Sequence, residues 1–309
     1  MKDKKLYVFF GYWIEYTLNP LYIYMKEQGY NCIEILPTTC SNMRKTLSEL
    51  KEKEIIFITS AHVFLDNTNG KFNSTHLPPL EAIDILNPIK NVFYPHDIVD
   101  FANKSDMLWL NSIFNVVLLP FDGYSHFACH GKPVYNVGWI KKHGKIGSGN
   151  RYKVGHGIGE LHYYKKIGYD NLYSIFRSIW DQGVIVKSTI GDREKLQSFW
   201  EQKNVNYIDP SLSIFELIDS CEIMLTNGIT SINLESALSG RFTINMLDGI
   251  VNYQTHEQFF KGIPNLKLMN INDTAELLKE YFRGDFFPPQ GEDVLKPFDF
   301  KQAVSLITS

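Results

Sequence analysis

The stretch "EIMLTNGITSINLESALSGRFTINM", residues 222 to 246, contains the most informative pattern in the chain. An apolar run is followed by a short turn, then by a segment of helical period, and then by a second apolar run. Thr230 and Ser231 are typical N-cap residues, and Gly240 is the residue type found just past a helix C-terminus. The stretch therefore predicts a strand, a helix that begins at its carboxyl end, and a second strand.

The turn between the first strand and the helix has the residues of a phosphate site. Open α/β sheets bind ligands at the carboxyl ends of their strands, where a helix N-terminus offers N–H donors and a positive dipole end. Gly228 allows close backbone approach, and Thr230 and Ser231 add hydroxyl groups. Glu235 shares a helix face with Ser231 and would accept hydrogen bonds from ribose hydroxyls. The alternative is an ordinary capped helix with a solvated glutamate.

The longer segment "VNYIDPSLSIFELIDSCEIMLTNGITSINLESALSGRFTINMLDG", residues 205 to 249, resembles the donor-binding half of the GT-B glycosyltransferases. Within that superfamily it resembles the CDP-glycerol glycerophosphotransferase-like and UDP-N-acetylglucosamine 2-epimerase-like proteins. The shared order is a strand, a "P.S..E.L..C" helix, a strand, a hydroxyl or glycine turn, and a helix carrying "E(A/S)...G". The resemblance covers residues 183 to 248 and implies donor contacts. These are Asn227, Gly228, Thr230 and Ser231 for the phosphates and Glu235 for the ribose.

One segment departs from the pattern of the glycerophosphotransferases. Those proteins tend to carry Lys/Arg-Pro-His-Pro after a strand, whereas this chain has "VIVKSTIGDRE" at residues 184 to 194, which keeps the lysine and lacks the histidine. Lys187, with Ser188 and Thr189, is expected at a strand end where an ammonium group would meet a diphosphate. The alternative is a solvated lysine at a strand end.

The whole chain alternates short apolar runs with segments of helical period, which predicts parallel α/β units. The expected fold is α/β, with two Rossmann-like domains that face each other across a cleft, as in GT-B proteins. The glycine-rich and lysine-rich seam "KKHGKIGSGNR", residues 141 to 151, divides an N-terminal acceptor domain, 1–141, from a C-terminal nucleotide-donor domain, 142–309. The last helix is expected to pack back on the first domain. The predicted strands are 5–10, 32–36, 54–59, 91–95, 116–120, 133–138, 183–187, 205–209, 222–226 and 242–246.

Composition excludes several classes of protein. Of the 309 residues 44% are hydrophobic and 21% charged, which supports packed cores and argues against a disordered chain. A net charge of −3 gives no global attraction to nucleic acid, so no nucleic-acid partner is expected. Four scattered cysteines without metal-ligand spacing predict reduced thiols and a cytoplasmic protein. No run reaches the length of a membrane span, although peripheral association with a membrane stays possible.

Two residues after a first-domain strand are candidates for catalysis. The segment "NVFYPHDIVDF", residues 91 to 101, places His96 and Asp97 just beyond the strand end. A histidine backed by a carboxylate suits the removal of a proton from an acceptor hydroxyl. The alternative is a helix-capping Asp97 beside a hydrogen-bonded histidine. Gly11 and Glu15, after the first strand, are the candidate acceptor-binding residues.

A glycine-rich segment after the seam is a further candidate for donor binding. In "RYKVGHGIGELHYYKK", residues 151 to 166, alternate glycines predict a turn that approaches phosphate, with Gly157 in the turn and His156 facing the donor. The alternative is a turn without a ligand. The segment "HFACHGKP", residues 126 to 133, has two histidines and a cysteine but lacks further metal ligands, so we assign it no role.

These observations predict a transferase that moves a glycosyl or glycerophosphoryl group from a nucleotide-diphosphate donor to a hydroxyl acceptor. The resemblance implies a nucleotide sugar or CDP-glycerol as donor, a saccharide or polyol-phosphate as acceptor, and a role in surface polysaccharide synthesis. No cofactor and no metal are expected, because the helix N-terminus and Lys187 would stabilise the leaving diphosphate. The alternatives are a sugar-nucleotide 2-epimerase, a two-lobed binding protein without catalysis, and transfer to modified DNA bases.

Overall fold

The structure is a computed structural model, and it describes most but not all of the chain. The described residues are 5–11, 17–36, 40–50, 53–60, 77–95, 98, 113–121, 133–142, 151–159, 168–188, 193–209, 211–228, 230–246, 260 and 262–309. Among them, no helix has the length and apolar character needed to cross a membrane.

Strands and helices alternate along the described residues. The strands are β1 (Lys5–Phe10), β2 (Cys32–Ile35), β3 (Glu54–Thr59), β4 (Lys90–Phe93), β5 (Val116–Leu119), β6 (Val134–Asn136), β7 (Tyr152–Gly157), β8 (Ile185–Lys187), β9 (Cys221–Asn227), β10 (Phe242–Met246) and β11 (Leu266–Met269). The helices are α1 (Asn19–Glu27), α2 (Cys40–Ser48), α3 (Pro79–Leu86), α4 (Tyr169–Trp180), α5 (Arg193–Gln202), α6 (Ile214–Ser220), α7 (Ser231–Leu238), α8 (Ile271–Arg283) and α9 (Phe300–Thr308).

The chain divides into two compact units, each built on one parallel sheet. The first unit combines Met1–His143 with Lys296–Ser309, and the second is Gly144–Leu295. The strand order is β2-β1-β3-β4-β5-β6 in the first sheet and β11-β10-β9-β7-β8 in the second. Every strand pair in both sheets is parallel. Parallel sheets with crossover helices are the doubly wound architecture that the sequence pattern predicts.

The strand order reverses once in each sheet. In the second unit the chain starts at β7, moves outward to β8, and then returns to β9 on the other side of β7. Such a topological switch point leaves a crevice at the carboxyl ends of the two central strands, and ligands of doubly wound sheets bind there. In the first unit the same reversal lies between β1 and β3. Gly11 follows β1 at this position with a φ of 126°, a conformation that strongly favours glycine.

The last helix packs within the first unit. Lys5 Nζ donates to the Thr308 carbonyl at 3.0 Å, and Lys90 Nζ donates to the Ile307 carbonyl at 3.3 Å. Two ammonium groups therefore lie at the C-terminus of α9, where they complement its dipole. The rings of Tyr24 and Phe300 pack with their centroids 5.1 Å apart. In this division α9 belongs to the first unit, so the second unit ends at residue 295.

Two local predictions for the second unit are wrong. Residues 205–209, predicted as a strand, are joined to the sheet by an isolated bridge between Val186 and Tyr207. Residues 152–157, predicted as part of a glycine turn, form the central strand β7. Gly155 and Gly157 are needed there for close packing, because a Cβ on Gly155 would lie 2.6 Å from Cys221 Sγ and one on Gly157 would lie 2.9 Å from Ile232 Cγ2.

Candidate donor-binding site

The carboxyl edge of the second sheet collects most of the predicted donor residues. The strand register places Lys187, Gly157, Thr226 and Asn245 opposite one another on four adjacent strands. The next positions along the same strands are Ser188, Ile158, Asn227 and Met246. The helix α7 begins directly after β9, so its N-terminus lies at the same edge. Residues that are far apart in the sequence therefore lie in one contiguous group at the switch point.

Among the described residues, no side chain caps the N-terminus of α7. Thr230 holds the N-cap position in extended conformation (φ −143°, ψ 150°), and no side-chain hydrogen bond caps the helix there. Ser213, Asn270 and Asp299 cap α6, α8 and α9 with their side chains, whereas α1, α3 and α4 resemble α7 in having no side-chain cap among the described residues. An uncapped N-terminus presents N–H groups and the positive end of the helix dipole, which suits an anionic ligand.

The turn before α7 is held from both sides by amide side chains. Gly228 has a φ of 78°, and its carbonyl oxygen accepts hydrogen bonds from Asn233 Nδ2 at 2.8 Å and from Asn245 Nδ2 at 3.1 Å. The backbone of the turn is therefore fixed without any ligand. Neither Asn233 nor Asn245 was predicted from the sequence as a site residue. The available signal was an asparagine near the carboxyl end of an otherwise apolar strand, "FTINM".

The helix α7 is buried along nearly its whole length despite its polar residues. Ser231 is 8% exposed and Glu235 is 2% exposed, so the alternative of a solvated glutamate is excluded. A carboxylate is expensive to bury unless hydrogen-bonding or cationic groups accompany it. Glu235 is therefore a buried acid one turn inside the α7 N-terminus, close to the carboxyl edge of the sheet.

Lys187 is also buried, which excludes a solvated lysine. Its side chain is 7% exposed, and its Nζ donates to the Ser188 carbonyl at 3.3 Å. Burial lowers the pKa of this ammonium group, while the carboxylates of Asp209 and Glu216 raise it in part. Ser188 is 3% exposed, and its hydroxyl has no hydrogen-bond partner among the residues that the structure describes. A buried cation beside an unsatisfied hydroxyl is a combination that a phosphate would satisfy.

His156 lies in a different place from the one expected from the sequence. It is completely buried, its Nδ1 accepts from Trp180 Nε1 at 3.0 Å, and its Nε2 is 3.0 Å from Asn227 Oδ1. Its ring also packs edge-on against Phe176, with centroids 4.9 Å apart. Both ring nitrogens are thus engaged by buried residues of the core. His156 lies on the face of β7 that packs against Trp180 and Phe176 of α4. The sequence pattern did not predict which face of the strand it would occupy.

Burial of His156 makes stability depend on pH. Desolvation lowers the pKa of the imidazole from 6.5 to about 4, with the bond to Asn227 opposing the shift. Above pH 6.5 both folded and unfolded chains keep it neutral, and as the pH falls toward 4 only the unfolded chain takes up the proton. We expect this group to lower the free energy of unfolding by about 1.4 kcal/mol at about pH 5.5. Chemical denaturation at several pH values between 6.5 and 4 gives the free energy of unfolding of wild type and of His156→Phe. If the free energy falls equally with pH in both proteins, the prediction is wrong.

The remaining predicted site residues fall outside the described part of the chain. They are His96, Asp97, Glu15 and Thr189. Their roles therefore stay predictions, as does the acceptor role of Gly11. Within the described residues, no group of three or more His, Cys, Asp or Glu side chains is arranged to hold a metal ion. Cys32 and Cys221 are buried, and burial raises the pKa of the Cys221 thiol to about 12.

Comparison with known proteins identifies the fold. No protein-family profile and no curated protein sequence matches the chain. Among solved structures, MurG from Acinetobacter baumannii has a TM-score of 0.56 at 12% identity and covers 99% of each chain. The spinosyn rhamnosyltransferase SpnG has a TM-score of 0.52 at 8% identity, over 92% of this chain and 91% of that chain. The wall teichoic acid polymerase TagF has a TM-score of 0.51 at 12% identity, over 99% and 88%.

These similarities confirm the predicted fold class. The chain has the GT-B glycosyltransferase fold, with two Rossmann-like domains that each contain a parallel sheet. At such low identities a structural likeness establishes the fold alone, and function has to be argued from the site.

Proposed function

We propose that the chain is a glycosyltransferase, or a related transferase, that takes its donor as a nucleoside diphosphate derivative. The second unit would hold the nucleotide and the first unit would bind a hydroxyl acceptor. The observation that carries the proposal is the combination at one switch point of the uncapped α7 N-terminus, the buried Glu235 and the buried Lys187. Together they would supply dipole, ribose and phosphate contacts at the carboxyl edge of one sheet, with Lys187 on β8 and the α7 N-terminus after β9 on either side of β7.

The same residues give each part of the donor a position. The diphosphate would lie over the turn of Gly228 and Thr230, with the N–H groups of α7 directed at it. Glu235, one turn into the helix, would accept hydrogen bonds from the ribose hydroxyls. Lys187 and Ser188, at the end of β8, would contact the phosphates from the other side of β7. As the bond to the leaving nucleotide breaks, its growing negative charge would be stabilised by the helix dipole and the ammonium group.

The acceptor step requires a base in the first unit. A histidine that is neutral near pH 7 can take the proton of an acceptor hydroxyl, and we propose His96 for this step with Asp97 orienting it. Gly11 and Glu15 would contribute to acceptor binding. The acceptor class we propose is a saccharide or polyol-phosphate chain in surface polysaccharide synthesis, and the protein would act in the cytoplasm with reduced thiols. No cofactor is required by this chemistry beyond the activated donor.

A binding and turnover panel tests the proposal. Purified protein is titrated with UDP, GDP, CDP, CMP, CDP-glycerol and UDP-sugars, and the unfolding temperature is recorded for each, because a ligand that binds only the folded state must raise it. We expect one nucleotide base to stand out and its diphosphate to be released from the activated donor when acceptor is present. EDTA should leave turnover unchanged. Conversion of a nucleotide sugar to its epimer without acceptor would instead identify a 2-epimerase, and no shift with any nucleotide would reject the transferase.

Replacement of Lys187 by methionine is expected to weaken diphosphate binding without lowering the free energy of unfolding. The variant keeps the volume of the side chain and removes a buried charge whose pKa is lowered by desolvation, so the free energy of unfolding should stay the same or rise. Loss of a charge-assisted contact should weaken diphosphate binding by about tenfold and monophosphate binding by less. Calorimetric titration with the two nucleotides checks this. Lys279→Met, at an exposed lysine of α8, is the matched control. Equal affinities for wild type and Lys187→Met would contradict the role.

A further inference from the structure

A chain of hydrogen bonds runs from the core of the second unit to its switch point. It begins at Trp180 on α4, passes through His156 on β7 and Asn227 at the end of β9, and ends at Gly159. Trp180 is 4% exposed, and His156 and Asn227 are 0% exposed. The residues belong to two neighbouring strands and a helix, so the chain of bonds ties together elements that are far apart in sequence.

The direction of every bond in this chain follows from its first member. An indole N–H can only donate, so His156 Nδ1 must be an acceptor. A neutral imidazole then carries its proton on Nε2, which donates to Asn227 Oδ1. The same Oδ1 accepts from the Gly159 N–H at 3.3 Å, while Asn227 Nδ2 donates to the Gly159 carbonyl at 3.0 Å. Only one orientation of the Asn227 amide satisfies all these partners.

The end of the chain lies beside the turn that would receive the donor. Gly159 follows β7 and Asn227 ends β9, which are the two strands on either side of the switch point. The space next to Gly159 is closed by Thr230, since a Cβ there would lie 2.8 Å from Thr230 Cγ2. Asn227 continues directly into Gly228 and the N-terminus of α7. The position of Gly159 relative to the α7 turn is therefore set by the side chain of Asn227.

We propose that Trp180 and His156 are positioning residues of the donor site, which act through Asn227 and Gly159 on a bound nucleoside diphosphate. The inference rests on the proposed function of this edge. Neither residue touches the donor. Trp180 selects the Nε2–H tautomer of His156, His156 fixes the amide of Asn227, and Asn227 holds the backbone of Gly159 against the turn. A buried polar network of this kind specifies one geometry, where apolar side chains in the same core would only fill space.

The test combines an imidazole spectrum with nucleotide affinity. Two-bond ¹H–¹⁵N correlation spectra identify the tautomer of His156, with His156→Gln used to assign its signal. Calorimetric titration with UDP, GDP and CDP gives affinities for wild type, Trp180→Phe and His156→Phe. Leu196→Ala, a substitution in the same apolar core, serves as a control that lowers stability without removing any bond of the network.

We expect the Nε2–H tautomer in wild type and a loss of that fixed state in Trp180→Phe. Both network variants should bind the preferred diphosphate about tenfold more weakly, whereas Leu196→Ala should bind it as wild type does. If wild type binds a diphosphate and all three variants bind it equally well, the positioning role is overturned while the proposed function stands. An Nδ1–H tautomer in wild type also overturns it. If wild type binds none of the three diphosphates at millimolar concentration, the proposed function fails, and the positioning role fails with it.

Discussion

Glu235→Gln is expected to weaken nucleotide binding by about 100-fold while the chain stays folded. Glu235 is 2% exposed and lies one turn inside the α7 N-terminus, where its carboxylate would accept two charge-assisted hydrogen bonds from the ribose. Glutamine keeps the volume and one acceptor oxygen but loses the charge and replaces the second acceptor by a donor. Calorimetric titration with the preferred diphosphate measures the loss.

The matched control for this variant is Glu276→Gln. Glu276 lies on α8 with its side chain 69% exposed and pairs with Lys279, so its substitution changes charge without touching the site. Its affinity should equal that of wild type. The unfolding temperature of each variant without nucleotide shows whether the fold is intact. If Glu235→Gln is folded and binds the diphosphate as tightly as wild type, Glu235 does not bind the ribose.

Gly159→Ala is expected to damage both stability and donor binding. A methyl group at this position would lie 2.8 Å from the Asn227 carbonyl oxygen and 2.8 Å from Thr230 Cγ2. The backbone of the loop or of the turn must move to relieve these contacts, at a cost of about 2 to 3 kcal/mol in the free energy of unfolding. Because the displaced atoms belong to the proposed phosphate turn, diphosphate affinity should also fall by more than tenfold, or about 1.4 kcal/mol. Denaturation curves and titrations measure the two effects separately.

Gly183→Ala separates backbone strain from this steric effect. Gly183 has a φ of 86° and nothing within 4 Å of an added Cβ, so alanine introduces strain of about 1 kcal/mol without a clash. It precedes β8, at the edge of the sheet opposite the site. We expect lower stability and unchanged affinity for this control. A Gly159→Ala variant that behaves in the same way would show that the loop after β7 takes no part in donor binding.

The strand, turn and helix around α7 were predictable because their signals are local. The apolar run before Asn227, the hydroxyl residues at the helix start and Gly240 beyond its end each favour the structure that forms. The strand β7 was missed for the opposite reason. Glycines at every second position look like a turn in sequence, yet they are required where β7 packs tightly against Leu217 and Ile232.

The sequence predicted which residues lie at the candidate site, but it did not predict how these residues are buried and packed. Lys187, Ser188 and Glu235 lie at the expected edge, since carboxyl ends of parallel strands meet there. Their burial could not be predicted, because it depends on packing between distant segments. The place of His156 is a second case, since a period-2 pattern shows that residues alternate between faces but does not show which face is lined by Trp180 and Phe176.

A crystal structure of the protein with the nucleoside diphosphate that binds most tightly in the panel tests the central claim most directly. We expect the diphosphate to lie at the N-terminus of α7 beside Gly228 and Thr230, with the ribose hydroxyls within hydrogen-bond distance of the Glu235 carboxylate. A nucleotide bound away from the carboxyl edge of the second sheet, or bound there with its ribose turned away from Glu235, would contradict it.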